Sequence, residues 1–420
     1  MSNLSRRGFL TSAAALLGTP LLMGLGGQSS RRLLLINVEG GWDPTFALDS
    51  KLDIPHIQGP KPDVTGIGMD RELVHTFGDN QVIQFNPSRR PNVANLFHSY
   101  GPAICVINGL WVGAVTHEGG RVRLLTGTDD RSLPDLATMV GVERGIDTPI
   151  ATVDFSGLAR FGVYTPMSAR FGRSDQLSGL LDPASRMEPT IHSEYRGVSL
   201  PDEDRQAMLE YLMASREVDT LAGLDRGKTL ASDRMEALER SERLRQARIR
   251  PGAPPTTLRG QLQMAMELFE TGACQSVTVQ TNSSWDRHSG AGALHDLWNA
   301  TAEDLHYLIG ELRRRNLDES VTVAVLSEMG RSPLRNDADG TDHWPHTSAM
   351  LFGAGIAGGR MLGATDDELL SQPVDFQTGN VDPQGKVLRP EHLLAGLLET
   401  LQVDPEAWLP GVEPYRGQQT

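Results

Sequence analysis

Four segments of this chain carry side chains suited to metal-assisted chemistry: Glu39-Gly40-Gly41-Trp42-Asp43, Thr116-His117, Trp285-Asp286-Arg287-His288, and Ser327-Glu328-Met329-Gly330 with Asp342-His343-Trp344-Pro345-His346 beyond it. Carboxylate oxygens and neutral imidazoles are the ligands that Zn²⁺, Mn²⁺ or Mg²⁺ require. Each segment follows or adjoins a strand-like apolar run, and an open α/β sheet delivers groups from the carboxyl ends of several strands into one crevice. Two glycines after the first run permit a tight turn that carries Glu39 or Asp43 over the sheet edge. The Asp286-x-His288 spacing lets both side chains face one cavity, and Glu328 falls at the carboxyl end of the clearest strand-to-loop junction, a strong ligand position.

Thr116 is the natural nucleophile of the set. A hydroxyl at a helix start has backbone N–H groups aimed at it, and a cation lowers its pKa. The same residue also suits an ordinary helix N-cap. Arg121 and Arg123 follow one and two turns later, with the fork geometry that grips anionic oxygens. The polar stretch Asn336-Asp337-Ala338-Asp339-Gly340 lacks the closing glutamate of a calcium loop and reads as a turn.

The elements that must position these groups are legible as hydrophobic pattern. Short apolar runs at 33–38, 103–108, 150–154, 274–280, 321–326 and 348–352 read as buried parallel strands. Helical periodicity covers 257–271, with Leu258, Leu262, Met266 and Phe269 on one face. It recurs over 293–315, with Leu294, Leu297, Leu305, Leu308 and Leu312. Strand alternating with helix predicts an α/β fold whose central, mostly parallel sheet has helices on both faces. A charged stretch at 200–250, closed by Arg250-Pro251-Gly252-Ala253-Pro254-Pro255, reads as an inserted helical hairpin.

Ser5-Arg6-Arg7-Gly8-Phe9-Leu10 before an apolar stretch to Leu25 reads as a twin-arginine signal over residues 1–29, leaving one α/β domain over 30–420. The expected destination is the periplasm or beyond, with the twin-arginine translocon as a transient partner and no stable membrane span after processing. Formal net charge is −14, and the two arginines of the signal face no acid within its first 27 residues, so the remainder is more acidic still. That excludes nucleic acid and anionic membrane as partners and requires local positive charge for an anionic substrate. Cys105 and Cys274 lie inside apolar runs and read as small buried hydrophobes rather than a disulfide.

The order of segments resembles the DUF1501 proteins, twin-arginine secreted members of the alkaline phosphatase and sulfatase superfamily. That family runs Gly-Gly-x-Asp, Ser-His ahead of Thr-Gly, Trp-Asp-Thr-His, Glu-Phe-Gly-Arg-Thr-Pro and Asp-His-Trp-Pro. Here these stand as Gly40 to Asp43, Thr116-His117 with Thr126-Gly127, Trp285 to His288, Glu328 to Pro333 and Asp342 to Pro345. The resemblance implies an alkaline-phosphatase-like fold and places the nucleophile at Thr116 or His117. It implies metal ligands among Asp43, Glu39, Asp286, His288, Glu328, Asp342, His343 and His346. The cofactor is then one or two divalent ions, zinc first, with manganese, magnesium or calcium as alternatives.

Characterised superfamily members have Asp-His where this chain has Glu328-Met329, which removes an imidazole, and the Cys-x-Pro-x-Arg signature of formylglycine sulfatases is absent. The expected function is hydrolysis of a phosphate or sulfate ester by Thr116, with Arg121, Arg287 or Arg331 holding the anionic oxygens. The substrate is a small anionic ester or a sulfated or phosphorylated polymer. The alternative is a non-catalytic envelope binding protein that keeps the fold with a degenerate metal site.

Overall fold

Among the described residues, seven of the eight strands in the central sheet run in one direction, and their carboxyl ends share an edge. A computed structural model describes residues 31–51, 54–60, 73–77, 81–85, 89–145, 148–171 and 255–420, with scattered helical positions between 203 and 244. The signal expected at 1–29 lies outside the described residues, and the helical insert expected at 200–250 lies almost wholly outside them.

The strands are β1 (Arg32–Val38), β2 (Leu73–Phe77), β3 (Gln81–Phe85), β4 (Ile104–Trp111), β5 (Thr152–Asp154), β6 (Ser168–Arg170), β7 (Ser276–Gln280), β8 (Val321–Ser327), β9 (Gly330–Arg335), β10 (Thr341–Trp344), β11 (His346–Gly353) and β12 (Arg360–Leu362). The large sheet has the order β12-β4-β11-β8-β1-β7-β5-β6, while β9–β10 and β2–β3 form separate antiparallel pairs.

The helices are α1 (Pro44–Ala47), α2 (Pro91–Tyr100), α3 (His117–Thr126), α4 (Leu136–Arg144), α5 (Leu258–Glu270), α6 (Ala293–Arg314) and α7 (Pro390–Thr400). Alternate residues of a strand point to opposite faces. Leu34, Ile36 and Val38 accordingly join one core with Leu262, Met266, Phe269, Leu305 and Leu308 from α5 and α6. Leu33 and Leu35 join a second core with Leu124 and Leu125 of α3, Met139 of α4 and Leu394 of α7. With both faces of the sheet covered, β1 reads as an unbroken apolar run. Each fully buried Leu or Val side chain contributes roughly 1.5–3 kcal/mol.

All six apolar runs singled out in the sequence are strands, but β11 corrects one expectation, because it lies antiparallel to both β4 and β8. A parallel return needs a crossover of a dozen or more residues, usually helical. The chain between Ser327 and His346 is spent on the β9–β10 hairpin at the carboxyl edge, so β11 starts there and runs back. Cys105 and Cys274 are buried and unbonded, as their apolar settings predict.

Candidate functional site

At the carboxyl edge, β1, β4, β7 and β8 release the loops that carry Glu39, His117, Asp286 and Glu328, and β10 brings His343 across them. Close backbone packing fixes these loops. Gly40 adopts φ +93°, and a Cβ there would stand 2.5 Å from the Asp286 nitrogen. A Cβ on Gly120 would stand 2.3 Å from the Glu328 carbonyl oxygen, and one on Gly340 would stand 2.0 Å from the His288 carbonyl carbon. Glycine is what lets α3 lie against the end of β8 and the β9–β10 turn against the Asp286 loop. Beneath them Trp42, Trp285 and Trp298 pack edge to face, with centroids 6.2–6.4 Å apart.

Asp286 is the hub. Its Oδ2 lies 3.2 Å from His117 Nε2, and its Oδ1 lies 3.0 Å from His288 Nε2 and 3.2 Å from His343 Nε2. Partial burial pushes this carboxyl up, but the hydrogen bond and charge of Arg331 outweigh it and hold the group below the usual carboxylate range.

Every imidazole is held from behind at Nδ1. His343 Nδ1 meets the Val115 carbonyl at 2.7 Å, His288 Nδ1 meets Asp342 Oδ1 at 2.9 Å, and His117 Nδ1 meets Glu328 Oε1 at 3.1 Å. Carbonyls and carboxylates only accept, so the partners assign the proton to Nδ1 and leave the Nε2 lone pairs facing one another. Asp342 is itself steadied by Asn336 Nδ2 at 3.2 Å, and the hydrogen bonds from His288 and Asn336 lower its pKa.

This arrangement fits a cation. His288 Nε2 and His343 Nε2 are 3.1 Å apart, too close for two N–H hydrogens. Ligand atoms bonded to one tetrahedral Zn²⁺ at 2.0–2.1 Å lie about 3.3 Å from each other, close to the contacts seen here. Backing each ligating imidazole with an acceptor on its other nitrogen is how proteins orient such ligands. Within the described residues, His117, Asp286 and His343 are a group whose ligand atoms lie within 4.8 Å of one another, and His288 Nε2 stands beside it, 3.0 Å from Asp286 Oδ1.

The other residues singled out in the sequence fall around this set. Glu328, fully buried, points at His117 rather than at the Nε2 cluster. Its Oε1 also accepts from Gly40 N at 2.9 Å and Arg121 at 3.3 Å, and its Oε2 is without a partner. Asp342 stands behind His288 in the same way. Glu39 pairs with Arg121 at 3.7 Å and accepts from Gln280 Nε2 at 3.1 Å. Asp43 is buried and turned back on its own chain, where its Oδ1 caps α1 by accepting from the nitrogen and hydroxyl of Thr45 at 3.0 and 2.6 Å. Burial pushes its pKa up.

His346 packs between Trp111 and Trp344, meets the Ser371 hydroxyl at 2.7 Å, and is brought down by burial to about 4. Arg331 is fully buried and spends its guanidinium on the carbonyls of Gly40, Gly41 and Thr341 and on Asp286 at 2.6 Å. It ties together the loops after β1, β7 and β8. Arg287 is half-buried in the Asp286 loop, with its Nε unpartnered. Thr116 is exposed and caps α3, its Oγ1 accepting from Gly119 N at 3.3 Å.

Three contributors carried no signal as ligands in the sequence. The Val115 carbonyl is backbone, and any residue supplies one. Asn336 has a turn signature, and that turn forms, with Asn336 Oδ1 accepting from Ala338 and Gly340 nitrogens at 3.0 and 3.1 Å. Gly120 looks like any helix glycine until the close approach of Glu328 is seen.

Residues 30–413 match the model of the family described as a protein of unknown function, DUF1501. No curated protein matches the chain in sequence. Among solved structures, the lipoteichoic acid synthase LtaP of Listeria monocytogenes aligns at 8% identity and TM-score 0.39, covering 93% of this chain and 76% of its own. A sulfatase of Pseudoalteromonas sp. aligns at 10% identity and TM-score 0.38, with 93% and 76% covered. A protein in the alkaline phosphatase superfamily from Vibrio parahaemolyticus aligns at 10% identity and TM-score 0.37, with 94% and 71% covered.

Proposed function

The chain belongs to the DUF1501 family, and from that premise and the geometry of the cluster we propose that it is a metal-dependent hydrolase of phosphate or sulfate esters, exported by the twin-arginine route to the periplasm or beyond. The observation that carries the reading is the convergence of His117, His288 and His343 Nε2 on the Asp286 carboxylate, each ring backed at Nδ1 by an acceptor.

His117, Asp286, His288 and His343 would hold one divalent cation, with zinc the choice that a three-imidazole, one-carboxylate set prefers. Bound there, such an ion supplies Lewis-acid stabilisation of the negative charge that develops on an ester oxygen. Both nitrogens of His117 are committed, Nε2 as a ligand and Nδ1 to Glu328, which leaves Thr116 as the nucleophile. The Thr116 oxygen lies at the amino end of α3 and takes a hydrogen bond from Gly119 N, an arrangement that favours its alkoxide. Its oxygen bonds to phosphorus or sulfur as the ester bond to that atom breaks, and the hydroxyl proton it gives up passes through water to the departing ester oxygen. A second water then attacks the same phosphorus or sulfur, releasing inorganic phosphate or sulfate and restoring the threonine hydroxyl. Arg287 is the remaining candidate to hold anionic oxygens, because Arg121 and Arg331 are engaged by internal acceptors and act as positioning residues.

Purified full-length chain is assayed for bound metal and for turnover of an aryl phosphate and an aryl sulfate, before and after chelation and metal return. Bound metal with chelator-sensitive turnover is the expected result. A protein that takes up no metal and hydrolyses neither ester overturns the proposal.

The commitment of Arg121 and Arg331 favours a second reading, a non-catalytic binding protein that keeps the ion as a structural or ligand-holding centre. Met329 is fully buried where characterised superfamily members place an imidazole, which points the same way. Metal without turnover is its signature in that assay.

A further inference from the structure

Beside the amino end of α3 lies a cavity of about 320 Å³ whose charged lining residues are Arg131, Arg160 and Arg170. The whole chain holds 53 Asp and Glu against 39 Lys and Arg, so a cavity with three guanidiniums and, among the described residues, no carboxylate in its wall runs against the average. The remaining wall includes Leu133, Phe161 and Thr165.

The arginines are held from outside the cavity. Arg160 donates to Glu118 at 2.9 Å, and its backbone nitrogen donates to the buried cap residue Asp135 at 2.7 Å. Arg170 donates to Asp154 at 3.3 Å and to the Ala159 carbonyl at 2.6 Å, with its guanidinium carbon 4.9 Å from the centre of the Phe161 ring. Arg131 reaches Glu118 only at 3.6 Å and is 67% exposed. Two carboxylates, Glu118 and Asp154, thus answer three guanidiniums. Glu118, which holds Arg160 of the wall, is the residue after His117, so the ligand-bearing helix and the cavity wall are joined through one ion pair.

We propose that this cavity is a subsite for a second sulfate or phosphate group of the same substrate, so that the chain acts on polyanionic esters such as sulfated or phosphorylated polymers rather than on isolated monoesters. The inference rests on the ester-hydrolase reading of the neighbouring cluster. Guanidinium forks match the paired oxygens of sulfate and phosphate, and the volume suits a charged sugar or polyol unit rather than a bare ion. Phe161 and Leu133 give the wall an apolar part beside the arginines.

The test is equilibrium binding of a short dextran sulfate, a linear polyphosphate of matched charge and an uncharged dextran of the same length. Each is titrated against the full chain with and without chelator, and against Arg131→Gln, Arg170→Gln, the double variant and Arg131→Glu. Sulfate or phosphate polymer binds and plain dextran does not. Each single Gln variant weakens binding about three- to fivefold, the double variant about tenfold or more, and Arg131→Glu more than Arg131→Gln. Whichever charged polymer binds more tightly identifies the group.

Chelation leaves this binding in place while it removes turnover. Binding without any turnover keeps the subsite and defeats the hydrolase reading. Unchanged affinity in the double variant, equal binding of plain dextran, or loss of all binding on chelation overturns the subsite.

Discussion

The Nε2 atoms of His288 and His343 lie 3.1 Å apart, with the Nδ1 of each ring turned to an acceptor. Two such nitrogens need a shared proton or a cation between them. Zinc is therefore expected to stabilise the fold, by about 2.7 kcal/mol at a hundred times its dissociation constant. His343→Ala and His288→Ala each abolish that gain. Asp342→Asn, which disturbs only the partner of His288, lowers zinc affinity about 10- to 100-fold. Competition with a chelating dye and thermal melts with and without zinc read both effects.

Glu328 answers a different question, because it holds His117 without facing the Nε2 cluster. Glu328→Gln preserves its shape and its contact with Gly40 but offers a weaker acceptor to His117 and Arg121. Metal affinity falls about 10- to 100-fold with little change in urea midpoint. Glu328→Ala also strips Arg121 of its buried partner and costs about 2–3 kcal/mol, less than for a fully buried pair because Arg121 is part exposed. If both variants bind metal as the parent does, Glu328 has no role in orienting His117.

Thr116 separates chemistry from helix capping. Thr116→Ala removes the cap on Gly119 N at about 1 kcal/mol and eliminates turnover while metal content stays constant. Thr116→Ser keeps both the cap and the turnover. Residual activity in the alanine variant close to the parent would move the nucleophile elsewhere.

Asp135 gives the pH dependence a sign. Burial pushes its carboxyl up to about 6, only partly offset by hydrogen bonds from the nitrogens of Arg160 and Thr138, and the charge of Asp154 adds to the rise. The folded protein therefore keeps a proton that the unfolded chain, with an ordinary carboxyl near 3.9, has released. Stability contributed by this group falls as pH rises from about 4 to about 6. Asp135→Asn retains a cap for Thr138 and removes that slope, at most about 3 kcal/mol across the window. Urea midpoints of parent and variant at pH 4, 5, 6 and 7 measure it, and parallel profiles would refute it.

What the sequence determined by itself is what local pattern controls. Continuous apolar runs marked the strands because both sheet faces are covered, and the spacing of leucines marked α5 and α6 within two residues of their observed ends. The loops that carry His117, Asp286, His288 and His343 were marked as well, since strand ends in a parallel sheet must gather at one edge.

Tertiary structure alone decided which donors face which way. Glu328 and Asp342 resemble ligands in sequence but stand behind imidazoles, Asp43 turns to Thr45, His346 belongs to the Trp111 and Trp344 pair, and Arg331 holds backbone rather than a substrate. A carboxylate at a strand end can point either way, and the choice is made by partners far along the chain: Glu328 meets a histidine 211 residues away, and the His343 ring is set by a carbonyl 228 residues away. The reversal of β11 has the same origin, because the hairpin before it consumes the residues a parallel crossover would need.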